Sequence, residues 1–382
     1  MILAWVLAAA AAAQQAPAPD YAADAKALDR IIVENYAYED HWPGGVLPDS
    51  PVLAAERAAV HDKASLLHYA EHRIAALADH HAITGSSFKD SWAVVPTYAD
   101  LWVERRGGAY VITSVRDRSP AESSGIRPGD VLTAVDGVAT DQAVNAFWRE
   151  LGLSVTDERA EYAARVLAAG RRDRTRRLTI RTGNSERMIE LPNLYGSSSP
   201  TSPLAVSKRN GATVIRLNNS LGDQQTIASF DAAMTRLSPS APLLLDLTDT
   251  PSGGNTSVAR AIMGWFVDRA RSYQVHRLPA EERQTGIPRQ WIEQVLPRTG
   301  KHHSVLPVVR VGRWTGSMGE GLAIGFAAFG ARVEGTPMAG LKGAVYDFSL
   351  PASGLTVKLP AERLYTVSGL PREKFVPRRT RD

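Results

Sequence analysis

The sequence predicts an α/β protein of several domains, in which a helical segment and a small strand-rich domain precede a larger α/β domain. Three observations lead to this prediction. The 382 residues exceed a typical domain, which has roughly 150. Hydrophobic residues make up 44% of the chain and charged residues 22%, which is typical of globular proteins. Along the chain, the spacing of apolar residues changes from helical, through short strands, to strands that alternate with helices.

The composition excludes several classes of site. There is no cysteine, so disulfides, thiolate nucleophiles and iron–sulfur clusters are excluded. The net charge of +4 is small, and the basic residues are not massed as nucleic-acid binding requires. We therefore expect no nucleic-acid partner. No cofactor-binding or metal-binding pattern is found in the sequence, so we expect neither a cofactor nor a metal.

The chain begins with a candidate export signal, residues 1–13. Residues 2–13 are apolar, and this run is shorter than the roughly 20 residues that a membrane-spanning helix needs. The run ends in three alanines that fit a cleavage site, although no Lys or Arg precedes it. The alternative is a frayed, alanine-rich terminus of a cytoplasmic protein. We expect a signal peptide, a secreted or periplasmic mature protein, and no membrane span.

Residues 14–94 are predicted to form a helical segment. Apolar residues recur there at helical spacing, and Ser50-Pro51 is a helix start, with a capping serine and proline in the first turn. The pattern continues to Leu77, and Asp79-His80-His81 ends it.

Residues 95–192 are predicted to form a strand-rich domain. The stretch SPAESSGIRPGDVLTAVDG, residues 119–137, combines a Ser-Pro helix start, a glycine stop and two tight turns. It resembles a PDZ domain. Two features depart from that family. Residues 98–102, YADLW, stand where a glycine-rich carboxylate-binding loop is usual, and a predicted helix near 157–169 lengthens the insert between strands. We expect weak binding of apolar C-terminal peptides.

After a linker at residues 193–203, residues 204–377 are predicted to form the α/β core, followed by a basic tail at 378–382. Strands at 214–217, 243–247 and 308–311 alternate with helices at 227–237 and 258–267. This order predicts parallel strands joined by crossover helices.

Two glycine-rich corners follow core strands, at residues 245–255 and 311–321. In each corner, a strand is predicted to be followed by a turn, and a helix is predicted to begin at that turn. The unpaired N–H groups of a helix start suit a developing oxyanion. Ser317 begins the second helix and is either a nucleophile or only a helix cap.

The stretches LLLDLTDTPSGGN, GRWTGSMGEGLAIGFAAFGARVEGTPMAGLKGAVYDF and KLPAERLYTVSGLPREKFVP resemble the carboxy-terminal processing, or tail-specific, serine proteases. The resemblance implies a core of the crotonase and Clp-protease type with Ser317 as nucleophile. Glu320 and Lys342 follow Ser317 at the family spacings of three and twenty-five residues. The resemblance implies that Lys342 is the base, and that the N–H of Gly253 or Gly254 joins that of Met318 in an oxyanion hole.

Two departures from that family mean that a second residue is also a candidate for the catalytic base. The lysine spacing fits only with compensating one-residue shifts, and Thr248-Asp249-Thr250 stands where arginine and asparagine are usual. The tricorn-like branch uses a histidine from the helical segment, which nominates His81 as base and Glu373 as its acidic partner. We favour Lys342 at this point and keep His81 as the alternative.

The sequence thus predicts an exported serine endopeptidase that cleaves polypeptides near unfolded C-terminal ends through an acyl-enzyme at Ser317. The alternative is a non-catalytic ligand- or peptide-binding protein on the same scaffold.

Overall fold

The computed structural model describes residues 19–92, 96–194 and 202–379. The predicted signal peptide and most of the predicted linker lie outside this described part. Within it, no helix combines the length and the apolar character needed to cross a membrane.

The N-terminal segment packs three helices and ends in a short strand. These elements are α1 (Tyr21–Asn35), α2 (Pro51–Ala59), α3 (Lys63–Ala75) and β1 (Ile83–Thr84). Ser50 caps α2 as predicted. The predicted continuous helix is divided, because the chain leaves α2 at Val60 in an extended conformation and Asp62 caps a new helix with its side chain.

The second domain is a six-stranded sheet covered by helices. Its elements are β2 (Leu101–Arg106), β3 (Ala109–Val115), α4 (Pro120–Ser123), β4 (Val131–Val135), β5 (Val138–Ala139), α5 (Thr140–Glu150), α6 (Asp157–Ala169), β6 (Arg176–Thr182) and β7 (Ser185–Leu191). The strand order is β2-β3-β4-β6-β7, with β5 on β4. The strand β2 therefore lies at an edge of the sheet.

The third domain contains the parallel strands predicted from the sequence. Its elements are β8 (Leu204–Arg209), β9 (Ala212–Leu217), α7 (Gln225–Thr235), β10 (Leu243–Asp246), β11 (Asp249–Thr250), α8 (Thr256–Met263), β12 (Arg271–Arg277), α9 (Pro279–Thr285), β13 (Gln290–Val295), β14 (Val308–Val311), β15 (Trp314–Thr315), α10 (Met318–Ala328), β16 (Val333–Gly335), β17 (Ala344–Ser349) and β18 (Thr356–Tyr365). One sheet has the order β16-β14-β10-β9-β8, parallel except for β8. Helices α7, α8 and α10 contribute apolar side chains to its core, among them Phe230, Ile262 and Phe326.

A second sheet joins the N-terminal segment to the core. Its order is β1-β18-β12-β13, with β17 also on β18, and β1 pairs antiparallel with β18 at Ile83 and Lys358. The N-terminal segment is therefore not purely helical. At the other end, the Arg378 N–H donates to the Val333 carbonyl at 2.9 Å. The folded chain thus continues into the segment predicted as a basic tail.

Candidate functional site

The two glycine-rich corners lie side by side. The two-residue strands β11 and β15 pair in parallel, with Asp249 opposite Trp314 and Thr250 opposite Thr315. The Gly316 N–H donates to the Thr250 carbonyl at 3.0 Å. Because β10 and β14 are parallel neighbours in the sheet, their carboxyl ends meet at one edge, and this pairing brings the two predicted corners into one site.

Ser317 occupies a strained turn immediately before α10. Its φ is 50° and its ψ is −112°, a left-handed backbone conformation that costs a residue other than glycine about 1–3 kcal/mol. The Ser317 N–H donates to Glu320 Oε2 at 2.8 Å, and the serine is half-buried. The strain is held in place by the buried Glu320, so the turn presents the serine at the helix start.

The first corner places Gly253 against the serine. A Cβ on Gly253 would lie 2.4 Å from Ser317 Oγ and 3.6 Å from the Met318 nitrogen, so only glycine leaves room for the hydroxyl. The Met318 N–H, in the first residue of α10, has no acceptor within that helix. The Ser317 hydroxyl therefore lies between the N-terminus of α10 and the backbone of Gly253, which carries no side chain.

Gly254 has a different constraint. A Cβ there would lie 2.0 Å from the Leu221 carbonyl carbon and oxygen, so this glycine is needed for close packing of two backbone segments. A larger residue at Gly254 would disturb the fold of the corner, whereas one at Gly253 would act on the serine itself.

Glu320 anchors the serine turn to the chain segment that carries Lys342. Its carboxylate is fully buried and, besides the Ser317 N–H, accepts those of Gly340 at 2.9 Å and Leu341 at 3.3 Å. Burial raises its pKa to about 7, outweighing the nearby Arg372 and these N–H donors. Glu320 thus acts as a positioning residue that joins Ser317 to residues 340–341.

The two candidate bases, His81 and Lys342, contact each other at this segment. His81 Nδ1 donates to the Lys342 carbonyl at 2.6 Å. Since a carbonyl can only accept, the neutral ring carries its proton on Nδ1 and leaves Nε2 as a proton acceptor. Burial lowers the pKa of His81 to about 4, so the imidazole is neutral at physiological pH.

The Lys342 side chain makes different contacts. Its Nζ donates to Glu158 Oε1 of α6 at 3.4 Å and lies 5.9 Å from the centre of the Tyr38 ring. In this arrangement the amine is a donor to a carboxylate from the strand-rich domain. Of the two candidates, only His81 presents an acceptor nitrogen.

Glu373 does not contact Nδ1 of His81, where the Lys342 carbonyl takes the position expected for an acidic partner. Its Oε2 is buried without a hydrogen-bond partner in the described part of the chain, as is the Tyr38 hydroxyl. Burial, followed by the charge of Glu373, raises the pKa of Tyr38 well above its usual value. Glu373 therefore lies near enough to Tyr38 for its charge to act on the phenol, and neither oxygen has a hydrogen-bond partner in the described part of the chain.

Sequence reasoning missed three residues that shape the site. Arg372 is buried and donates to the carbonyls of Leu341 at 2.9 Å and Gly343 at 2.7 Å, which fixes the segment between them. Tyr36 donates to Asp79 at 2.7 Å, and Asp79 accepts the His81 N–H at 2.9 Å. The position of Arg372 beside Glu373 was a signal for Arg372, and Asp79 stands two residues before His81 in the stretch Asp79-His80-His81, but no local pattern marks Tyr36.

The strand-rich domain docks directly on the serine corner. Trp314 Nε1 donates to the Ala99 carbonyl at 2.6 Å, and Arg313 pairs with Glu104. Asp100 is buried and accepts both Nη atoms of Arg176, at 2.7 and 2.9 Å. Of residues 98–102, which stand in place of a carboxylate-binding loop, 99–102 are therefore buried inside the protein, whereas Tyr98 is exposed.

Helix α6 covers the free edge of β2. Arg165 Nε donates to the Val103 carbonyl at 2.9 Å, and the Arg105 N–H donates to Glu161 at 3.2 Å. A PDZ domain binds a peptide as an added strand on a free sheet edge. The backbone groups that such a strand would use on β2 are here bonded to the chain's own helix.

A cavity of about 1750 Å³ lies between the three domains. Its wall includes His72 and Phe88 from the N-terminal segment, Phe147 from α5, and Asn219 and Pro251 from the core. Pro251 is two residues before Gly253, so the cavity extends to the corner that faces the serine.

Comparisons with known proteins agree with this architecture. Residues 111–146 match the family model of PDZ domains, and no curated protein sequence matches the chain. The photosystem II D1 C-terminal processing protease superimposes with a TM-score of 0.57 at 17% identity, over 94% of this chain and 93% of that one. Mature CPAF complexed with lactacystin gives 0.58 at 14% identity, over 94% and 93%. The predicted fold is confirmed. The chain has the fold of the C-terminal processing proteases, including a PDZ domain.

The occupied edge of β2 leads to a prediction about peptide binding. We expect peptides with apolar C-termini to bind the protein weakly, and amidation of the peptide to change the affinity less than about threefold, roughly 0.6 kcal/mol. The physical reason is that α6 and the buried Asp100 leave neither a free edge on β2 nor a carboxylate pocket beside it. Calorimetric titration with matched free-acid and amidated peptides measures this. Tight binding that amidation abolishes would contradict it.

Proposed function

We propose that this protein is a serine endopeptidase that cleaves polypeptides through an acyl-enzyme at Ser317. The observation that carries the proposal is the contact between the two corners. A strained serine at a helix start faces a glycine whose Cβ would collide with the serine hydroxyl. A serine that served only as a helix cap would require neither the strain nor the glycine.

The proposed chemistry assigns one step to each of these groups. Ser317 Oγ attacks the peptide carbonyl while His81 Nε2 takes its proton. The N–H of Met318 and an N–H of the Gly253 corner stabilise the oxyanion. The intermediate then expels the amine, which receives the proton from His81, and leaves the acyl-enzyme. Water attacks the ester as His81 takes its proton, and the protonated histidine returns that proton to Ser317 as the acid is released.

The choice of His81 over Lys342 rests on hydrogen bonding. The Lys342 carbonyl orients the imidazole and determines its tautomer, as the third member of a catalytic triad would. Lys342 then contributes through its backbone, with its amine bonded to Glu158. The lysine-based mechanism remains the alternative, and it requires the Lys342 side chain to leave Glu158.

The proposed substrate class is polypeptide, near unfolded C-terminal ends. The cavity that leads to Pro251, at about 1750 Å³, exceeds the roughly 300–1000 Å³ typical of small-molecule sites, which supports a larger substrate such as a peptide segment. This size argues against a carrier of a small ligand, whereas a non-catalytic peptide-binding protein on the same scaffold remains the alternative. Export to the periplasm or the exterior, directed by residues 1–13, is part of the same proposal.

Labelling with a serine-reactive fluorophosphonate tests the proposal. The probe phosphonylates only an activated serine hydroxyl, so we expect one modification per chain, located by mass spectrometry at Ser317. The Ser317→Ala variant serves as the control for background labelling. An unlabelled wild-type protein that is folded, or labelling at another serine, would overturn the assignment and favour the binding protein.

Gly253→Ala provides a second test of the site. The new methyl group would lie 2.4 Å from Ser317 Oγ, so we expect turnover to fall by roughly a hundredfold or more, the scale for losing an oxyanion donor. Peptide cleavage and thermal unfolding are measured together. Gly222→Ala is the matched control, because its Cβ would make only ordinary contacts at 3.9 Å in the adjoining loop. Wild-type turnover in Gly253→Ala would show that this corner does not shape the reaction.

A further inference from the structure

A cluster of two histidines and a glutamate lies on α2 and α3, away from the serine. His72 Nδ1 lies 2.9 Å from Glu56 Oε1, and His68 Nε2 lies 3.8 Å from the same oxygen. The two imidazole rings are 4.2 Å apart between centroids, and one ligand atom of each residue lies within 4.8 Å of the others. The cluster brings three metal-ligating side chains to one point.

We propose that Glu56, His68 and His72 form a binding site for a divalent transition metal ion of the zinc class. Two imidazoles and one carboxylate are the ligand set that zinc uses in sites with an open fourth position. Two ligand atoms that each lie about 2.1 Å from a tetrahedral ion are about 3.4 Å apart. The separations of 2.9 and 3.8 Å from Glu56 Oε1 bracket that value, and the two histidine ligand atoms lie within 4.8 Å of each other, so the three ligand atoms lie near the spacing that the ion requires.

The surroundings favour a cation. His68 and His72 are one helical turn apart, so α3 presents both on one face, and the side chains of His72 and Glu56 are 18% and 21% exposed. Glu71 adds a second carboxylate beside the cluster and is held by Ser91 Oγ at 2.6 Å. A simple ion pair needs only Glu56 and His72. A metal site needs a third ligand, and His68 is the residue that supplies it.

The position of the cluster assigns it a role. His68, Glu71 and His72 line the cavity between the three domains, whose far wall includes Pro251 of the first corner. An ion at this site would join Glu56 of α2 to His68 and His72 of α3. The bound ion would thus stabilise the packing of the two helices in the cavity wall and would take no part in the reaction at Ser317.

Calorimetry with ZnCl₂ on the tag-free, EDTA-treated full chain tests this inference. We expect one zinc ion per chain, at least about tenfold weaker binding in His68→Ala and in His72→Ala, and a zinc-dependent rise in Tm in the wild type alone. His61→Ala is the matched control, because His61 lies just before α3 with a side chain that is 78% exposed.

His68→Ala is the decisive variant, since His68 is half-exposed and contacts Glu56 only at 3.8 Å, so its loss disturbs the fold least. Circular dichroism verifies that each variant is folded. Equal zinc affinity in wild type, His61→Ala and His68→Ala, or no saturable binding to the wild type, would overturn the site. Neither result would bear on Ser317, whose labelling is measured separately.

Discussion

Replacing Ser317 with alanine is expected to lower the rate of peptide cleavage by on the order of 10⁴ to 10⁶-fold, the scale for losing a nucleophile in serine proteases. The remaining groups can still bind the substrate and its oxyanion, but no acyl-enzyme can form. Thermal unfolding should change little, because alanine keeps the backbone of the turn and the N–H that donates to Glu320. Steady-state cleavage of an unfolded protein and calorimetric Tm measure the two effects.

Ser119→Ala is the matched control for this experiment. Ser119 also precedes a helix, and its hydroxyl accepts the Glu122 N–H at 3.1 Å. Losing such a cap costs about 1 kcal/mol of stability, and we expect no loss of cleavage. If Ser317→Ala behaves like Ser119→Ala, with lower stability and full activity, Ser317 is a helix cap and the proposed function is wrong.

The strained turn provides an additional comparison at the same position. Glycine adopts a φ of 50° without steric cost, whereas alanine pays about 1–2 kcal/mol for a left-handed conformation. We therefore expect Ser317→Gly to be inactive but more stable than Ser317→Ala by about 1 kcal/mol. Equal stability of the two variants would show that the turn relaxes when the hydroxyl is removed.

His81→Ala is expected to lower the rate of Ser317 acylation by about 10²–10⁴-fold, the usual contribution of a general base. Lys342→Met is expected to stay within about tenfold of the wild type, because its carbonyl, which orients His81, is kept. Single-turnover acylation by the fluorophosphonate or by an activated ester measures both variants. The opposite result, with Lys342→Met inactive and His81→Ala active, would restore the lysine base that the sequence favoured.

The pH dependence separates the same two mechanisms. The pKa of His81 is lowered to about 4 by burial, so the base is neutral above that value and is lost as the pH falls through it. His81 should therefore contribute no inflection to the pH profile of acylation across neutrality. A lysine base would instead make the rate of acylation rise with pH in the alkaline range, because only the neutral amine can accept the serine proton.

Glu320 is expected to add its own inflection to the pH profile of acylation, because burial raises the pKa of Glu320 to about 7. The folded protein then binds the proton more strongly than the unfolded chain, so this group lowers stability as the pH rises from about 4.5 to about 7. Glu320→Gln keeps an oxygen acceptor for the Ser317 N–H and removes the titration. An inflection near pH 7 that disappears in this variant belongs to Glu320, whereas one that persists would contradict the assignment of a low pKa to His81.

Local patterns in the sequence determined much of this protein. Serine before a helix, glycine at corners and the turn residues of 119–137 act through the backbone within a few residues, so the strands and turns could be predicted without the fold. Local patterns also marked the two glycine-rich corners and left Ser317 as either a nucleophile or a helix cap, whereas the predicted roles of Ser317, Gly253 and Glu320 came from the resemblance to the carboxy-terminal processing proteases.

Only the tertiary structure decided which side chains meet across the chain. His81 and the Lys342 carbonyl are 261 positions apart, and their hydrogen bond depends on β1 pairing with β18 and on Arg372 holding residues 341–343. The covering of β2 by α6 and the meeting of Glu56 with His68 and His72 likewise depend on how helices pack. A hydrogen bond or a metal ligand set needs atoms within a few ångströms, and spacing along the chain does not determine those distances once the residues lie on separate elements.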